Sequence, residues 1–282
     1  MAYKSILTVA TDPYGLNPVL GAASRLAQAQ NGHLEVLVAS VDMVLPAVYG
    51  YGDSFAVMQI NIDQARDTAE ATEAAAKAFL AQENPALRWS VEAGGGIFGD
   101  LRGLVAQHAM FSDIVVLAQP YGNGKLQASE AVLEAVLFDG QAPVLVLPEG
   151  DAALARFGHH IVVGWDQSRE AMAAVRRALP LLIAAEQVNV VIIDPPVHGA
   201  ERSDPGGQLC QMLVRHGVRA EVSVLARTEP RISDVLLRHL RDKGADLLVM
   251  GAYGHSRLRE AILGGATREM LEHAKIPVML AH

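Results

Sequence analysis

Apolar runs alternate with longer mixed segments along the whole chain. In the second half the runs are IVVGW, VNVVII, AEVSVL, DLLVM and PVML, and the segments between them are SREAMAAVRRALPLLIAA, GGQLCQMLVRHG, RISDVLLRHLRDKG and GGATREMLEHAK. Continuous β-branched runs are typical of strands that are buried on both faces. Strands of this kind that alternate with helices predict an α/β protein, in which an open parallel sheet carries helices on both faces.

The pattern occurs twice. SILTVATD at the start resembles HIVVGWD near the middle, and aligning Asp12 with Asp166 sets an offset of 154 that also matches Val36 with Val190. Farther along, FSDIVVLA matches GADLLVMGA, and QAPVLVLP matches KIPVMLAH. The first copy carries about 20 extra residues, which the segment INIDQARDTAEATEAAAKAFLAQE predicts to be a longer helix. The chain is therefore predicted to be a tandem of two units, residues 1–150 and 156–282.

Composition excludes several classes of protein. Cys210 is the only cysteine, which rules out a disulfide framework and favours a reducing compartment. The N-terminal segment MAYKSILTVATD predicts a strand and not a signal peptide, and no apolar run approaches the roughly 20 residues that span a bilayer. We expect a cytoplasmic protein that does not bind membranes.

The charge is unevenly divided between the two halves. Residues 1–150 hold 7 Lys/Arg and 16 Asp/Glu, a net charge of −9, whereas residues 151–282 hold 16 and 15, a net charge of +1. No basic face of the kind that binds nucleic acid is predicted. An anionic ligand would meet less repulsion in the second half.

Several motifs of nucleotide and hydrolase sites fail on inspection. GGGIFG at 94–99 fits G-x-G-x-x-G, but the next strand ends in Gln119 where a dinucleotide site needs an acid, so a flexible turn is favoured. Gly124–Lys125 is followed by Leu126 and lacks the other features of a Walker loop. There is no G-x-S-x-G or H-E-x-x-H motif, and the spacing of the histidines predicts no metal site. No residue stands out as a catalytic base.

One glycine array remains, in the segment GAYGHSRLREAILGGATRE. Gly251, Gly254 and Gly264 follow the strand DLLVM with the spacing Gly-x2-Gly-x9-Gly, and Gly265 opens a predicted helix. Free N–H groups at a helix N-terminus favour an anion. The side chains that could reach phosphate oxygens are those of His255, Ser256, Arg257 and Thr267. Taken alone, the array fits equally well a turn that only packs a helix on the sheet.

The array, together with a first strand that ends in Asp, resembles the ATP-binding motif of the universal stress protein family, and the resemblance covers the chain as two copies. It implies a five-stranded parallel sheet in each unit, of the adenine nucleotide alpha hydrolase-like type, with ATP, alone or with Mg²⁺, bound in the C-terminal unit. Carried over to this sequence, the resemblance implies a nucleotide site formed by Trp165, Asp166, Ile192, Met250, Gly251, Gly254, Gly264, Gly265, Ala266 and Thr267.

Two departures from the family pattern matter. Gly265 stands where the ATP-binding pattern has Ser or Thr, which removes one phosphate contact. The first copy keeps Asp12 but has no Gly-x2-Gly-x9-Gly array, so we interpret it as degenerate. The family also implies that the strands APVLVLP and IPVMLAH pair antiparallel to form an internal pseudo-dimer; further pairing into a homodimer stays open.

Three functions follow as hypotheses. The first is a stress-response protein that senses an adenine nucleotide and changes protein partners without turnover. The second is an interaction module that binds no nucleotide. The third is an enzyme, such as a weak ATPase or an adenylyl-transferring protein.

Overall fold

The computed structural model describes residues 2–39, 54–94, 101–122, 127–150, 157–195, 204–253 and 265–282. The strands are β1 (Ser5–Ala10), β2 (His33–Ala39), β3 (Arg88–Gly94), β4 (Ile114–Ala118), β5 (Val144–Leu147), β6 (His160–Gly164), β7 (Gln187–Ile193), β8 (Ala220–Leu225), β9 (Leu247–Gly251) and β10 (Val278–Ala281). The helices are α1 (Leu16–Gln30), α2 (Ser54–Leu80), α3 (Leu101–Met110), α4 (Gln127–Glu134), which continues as a π-helical turn (Ala135–Asp139), α5 (Arg169–Ala184), α6 (Gly207–Arg215), α7 (Ile232–Asp242) and α8 (Ala266–His273).

The chain divides into two compact units. The N-terminal unit comprises Ala2–Val116 and Leu126–Ala142. Its strands lie in the order β3-β2-β1-β4, and every pair is parallel. The predicted long helix is confirmed, since α2 has 27 residues whereas α6, its counterpart in the second copy, has 9.

The C-terminal unit comprises Leu117–Lys125 and Pro143–His282. Its strands lie in the order β5-β10-β9-β6-β7-β8. The pairs are parallel except for β5, which runs antiparallel to β10 with Val146 opposite Val278. This pairing was predicted and is confirmed. The pairing places β5, a strand of the first repeat, in the same compact unit as the second repeat, because β5 is hydrogen-bonded to β10.

Burial follows the position of each strand in the sheet. All residues of β5 and β10 are buried, whereas the edge strands β3 and β8 alternate between half-buried and exposed positions. The α/β prediction rested on continuous apolar runs, and those of β6, β7, β9 and β10 do lie in largely buried strands. The run AEVSVL differs, since it forms the edge strand β8, whose residues are half-buried or exposed. No helix in the described part of the chain is both long and apolar enough to cross a membrane.

A polar network links β7, β8 and α7 in the C-terminal unit, and its members Asn189 and His239 are buried whereas Glu221 and Lys243 are exposed. The Nδ2 group of Asn189 on β7 donates to Glu221 Oε1 and to Ser223 Oγ on β8, each at 2.9 Å. The Oδ1 atom of Asn189 lies 2.7 Å from Nε2 of His239 on α7, and Lys243 Nζ lies 2.8 Å from Glu221. We call these five residues the Asn189 network. Burial lowers the pKa of His239, and the nearby charge of Lys243 lowers it further.

This shift predicts how stability depends on pH. A histidine in an unfolded chain titrates near pH 6.5. Below that pH the unfolded chain binds a proton that folded His239 resists, so the free energy of unfolding falls as the pH falls from 7.5 to 5.5. Urea unfolding of the His239→Gln variant should show a weaker pH dependence than the wild type, with His216→Gln as an exposed control. An unchanged pH dependence in His239→Gln would contradict the assignment.

Candidate functional site

The carboxyl ends of three neighbouring strands meet at one edge of the C-terminal sheet. Gly164, the last residue of β6, lies opposite Met250 on β9 and opposite Val191 on β7. The predicted site residues Trp165 and Asp166 follow Gly164 directly. The structure therefore brings them together with Ile192 and Met250, at the edge where ligands bind in open parallel sheets.

Asp166 and Trp165 differ in their surroundings. Asp166 is exposed, and its Oδ1 accepts a hydrogen bond of 3.0 Å from the N–H of Ser168, which begins α5. Trp165 is buried, and its Nε1–H has no hydrogen-bond acceptor among the residues that the structure describes. Buried polar groups in folded proteins are nearly always paired, so an indole N–H without an acceptor at this edge needs an explanation.

Gly251, at the end of β9, is held close to the first turn of α5. A Cβ atom at this position would lie 2.5 Å from the backbone nitrogen of Ala171 and 2.7 Å from the carbonyl carbon of Glu170. Real Cβ contacts are longer than this, so no larger residue fits without moving backbone. The glycine thus has a packing reason that does not depend on a ligand.

The N-terminus of α8 lies beside the end of β9. Gly265 is the N-cap residue, with φ −61° and ψ 149°, and as a glycine it offers no side chain to cap the helix, whereas Ser168 Oγ caps α5 by accepting from the N–H of Ala171. The N–H of Tyr253 donates to Oγ1 of Thr267, a buried residue, at 3.3 Å. This bond ties together the two ends of the glycine array. Gly254, His255 and Gly264, in the middle of the array, lie outside the described residues.

The same edge concentrates unusual backbone conformations. Gln167, Asp194 and Tyr253 have positive φ angles of 64°, 51° and 54° although none is a glycine, and they follow β6, β7 and β9. Such conformations are uncommon outside glycine and cluster at binding sites. Sequence patterns gave no sign of Gln167 or Asp194.

Two aromatic residues of this region were also missed. The hydroxyls of Tyr121 and Tyr253 lie 2.8 Å apart, and the guanidinium of Arg268, in the first turn of α8, lies 4.6 Å from the centre of the Tyr121 ring. The available signal was a Tyr-Gly pair shortly after the fourth strand in each copy, Tyr121–Gly122 and Tyr253–Gly254.

The N-terminal unit has the same aspartate turn after its first strand but lacks the glycine at the end of its fourth strand. Asp12 Oδ1 accepts from the N–H of Tyr14 at 2.7 Å, just as Asp166 accepts from Ser168. The fourth strand, however, ends in Ala118, where β9 ends in Gly251. The two units therefore share one half of the candidate site and differ in the other.

Comparison with known proteins identifies the C-terminal unit. The family model described as the universal stress protein family matches residues 158–282. Residues 158–282 therefore form a universal stress protein domain. A universal stress protein of Synechocystis sp. is 25% identical over 181 residues, which are 59% of this chain and 57% of that protein, so the match spans little more than half the length of that relative.

Solved structures extend the likeness of fold to the whole chain. A universal stress protein from Archaeoglobus fulgidus superposes with a TM-score of 0.67 over 98% of this chain and 96% of its own, at 14% identity. A protein of unknown function from Pseudomonas aeruginosa superposes with a TM-score of 0.57 over 99% of this chain and 92% of its own, at 15% identity. A universal stress protein domain within a fold of this length fits the predicted tandem type.

The contact around Gly251 can be tested by adding a single methyl group. Gly251→Ala should lower the free energy of unfolding by about 1–3 kcal/mol, because its Cβ would overlap backbone atoms of α5. Gly164→Ala is the matched control, since its Cβ would lie 3.5 Å from the nearest atom, an ordinary contact at a neighbouring strand end. Equal urea midpoints for the two variants would show that β9 and α5 are not packed as described.

Proposed function

We propose that the C-terminal universal stress protein domain binds an adenine nucleotide, ATP alone or with Mg²⁺, at the carboxyl edge of β6, β7 and β9. The observation that carries the proposal is that the Asp166 turn and the start of α8, whose N-cap is a glycine, both lie at that edge. The protein then acts as a stress-response protein that couples nucleotide occupancy to its choice of protein partners.

The phosphate chain belongs at the start of α8. The first N–H groups of a helix have no partners within the helix, and the helix dipole adds partial positive charge. The N-cap residue Gly265 has no side chain to cap α8, and Arg268 adds a cation in the first turn. The acid of that turn, Glu269, bonds Ser233 and lies 3.4 Å from Arg231, which balances its charge.

Gly265 supplies no hydroxyl here, but Thr267 stands two residues farther on. Its Oγ1 accepts from Tyr253, which leaves its own O–H free to donate. Because the lost contact is a single hydrogen bond, its absence weakens phosphate binding without removing the backbone N–H groups that make the site.

The base and ribose belong beside β6 and β7. The Oδ2 atom of Asp166 accepts no hydrogen bond from the described residues and suits a ribose hydroxyl or the adenine amino group. The Nε1–H of Trp165 has no acceptor in the described part of the chain and would gain one from a purine nitrogen or a ribose oxygen. Ile192 is buried next to these residues and offers an apolar surface.

A second candidate is an interaction module that binds no nucleotide. It is favoured by Gly251, whose backbone contact with α5 explains that glycine without any ligand. The two candidates differ in a single measurable property, which is the affinity of the protein for ATP.

Calorimetric titration with ATP and Mg²⁺ separates the two candidates and locates the site. Wild-type protein should bind one nucleotide per chain, and Asp166→Ala should weaken binding roughly 10- to 100-fold, the loss expected for a hydrogen bond to a charged group. Asp12→Ala is the matched control, because it removes the same type of turn in the unit without the glycine array. Its affinity should equal that of the wild type.

Two outcomes would contradict the proposal. The first is no binding by folded wild-type protein at millimolar ATP, which would favour the interaction module. The second is an equal loss of affinity in Asp12→Ala and Asp166→Ala, which would move the site away from the C-terminal unit.

A further inference from the structure

A second cluster of ligating side chains lies in the N-terminal unit, away from the nucleotide edge. Glu35 is the third residue of β2, Glu92 lies on the neighbouring strand β3, and His108 reaches the same face from α3. One ligand atom from each of the three lies within 4.8 Å of the others, and Glu35 Oε1 lies 2.5 Å from His108 Nδ1. Glu35 and His108 are half-buried, and Glu92 is exposed.

The two copies of the repeat have different residues at the position of Glu35. The offset of 154 that aligns Asp12 with Asp166 also aligns Glu35 with Asn189. The strand pairing fits this alignment, because each residue lies on the second strand of its copy and is paired with the third: Glu35 is opposite Ser90, and Asn189 is opposite Glu221. Each of the two aligned residues then contacts a histidine of the helix that follows the third strand, His108 on α3 and His239 on α7.

In the C-terminal unit the cluster is complete without an added ion. The amide of Asn189 donates two hydrogen bonds, to Glu221 and Ser223, and accepts one from His239. The one carboxylate of the Asn189 network also has the ammonium of Lys243 at 2.8 Å. Charges and hydrogen bonds are therefore balanced within the protein.

In the N-terminal unit the amide is replaced by a carboxylate. Glu35 accepts hydrogen bonds but donates none, so the link that the amide made to the third strand is lost. Glu92 replaces Ser223 and adds a second carboxylate, and no described lysine or arginine takes the place of Lys243 in contact with the cluster. Two negative charges then face one imidazole.

We propose that Glu35, Glu92 and His108 bind a divalent transition-metal ion of the Zn²⁺ type. Imidazole nitrogen and carboxylate oxygen are both ligands of Zn²⁺, at about 2.0–2.2 Å, and water completes a site that has three protein ligands. The exposed side chain of Glu92 gives the ion access and can move to close the site. Mg²⁺ is a poor occupant, because it prefers oxygen ligands alone.

The site is independent of the proposed nucleotide site. It belongs to the other compact unit, and Glu35 lies towards the start of β2 whereas the nucleotide edge is formed by strand ends. Failure of one proposal therefore leaves the other untouched.

Equilibrium dialysis of the untagged full-length chain against Zn²⁺, without nucleotide, tests the site directly. We expect one tightly bound Zn²⁺ per chain that a large excess of Mg²⁺ does not displace. Co²⁺ dialysed in its place should give the visible absorption of a bound ion, together with paramagnetically shifted signals of one histidine ring. Absence of stoichiometric binding by the wild-type protein would overturn the proposal, whatever the variants do.

The second copy supplies the test variants. Glu35→Asn and Glu92→Ser place residues found at the equivalent positions of the Asn189 network, so each is expected to fold, and each should weaken Zn²⁺ binding at least about 10-fold, a loss seen even for outer-shell partners of a metal. Glu70→Gln, on the exposed surface of α2, should bind as the wild type does. Undiminished binding by folded Glu35→Asn and Glu92→Ser would assign the ion to another place and reject this site.

Discussion

The fold and the position of the candidate site both depend on one constraint: a parallel sheet must be packed against helices on both of its faces. Because β4, β9 and β10 are largely buried within the sheet, both of its faces need cover, and helices alternate with strands along the chain. The strands β6 to β10 of the C-terminal unit run parallel and end at the same edge of that unit. The turns after β6, β7 and β9 meet there, and with them come Asp166, three non-glycine residues with positive φ, and the start of α8 with Gly265 as its N-cap. The candidate nucleotide site is thus a consequence of topology, and a few side chains decide whether it binds.

Duplication lets one copy serve as a reference for the other. Both copies keep an aspartate turn after the first strand, but only the second has a glycine at the end of its fourth strand. Both also keep a histidine that contacts the second strand; in the second copy it contacts the amide of Asn189, and Lys243 pairs with Glu221 of the same network. The two copies therefore differ at two places, and the net charges of −9 and +1 for the two halves are in line with the proposed cation site in the first and the proposed anion site in the second.

Periodicity predicted most of the fold because it reports burial. The strands of the second half, the extended α2 and the antiparallel pairing of β5 with β10 were all expected, since each leaves a local or repeated pattern. The packing of Gly251 against α5 and the bond between Tyr253 and Thr267 could not be predicted, because they join residues whose contact depends on the tertiary fold. The cluster of Glu35, Glu92 and His108 shows the same limit: its members are spread over 73 positions, so histidine spacing indicated no metal site. The structure leaves the predicted roles of Gly254, His255 and Gly264 as predictions.

Hydrogen exchange of backbone amides with and without ATP tests the central claim most directly, since it reports where on the chain the nucleotide acts. We predict slower exchange at the first turn of α8, residues 265–268, where N–H groups at the helix start would gain phosphate partners. We also expect slower exchange at residues 250–253, whose N–H groups are already bonded, because a bound nucleotide would oppose local opening of those bonds. The corresponding stretch after β4, residues 118–121, should not change by direct contact with phosphate and should show less protection than α8. Unchanged exchange at the start of α8 under saturating ATP, or protection confined to the N-terminal unit, would contradict the claim that the C-terminal domain binds the nucleotide.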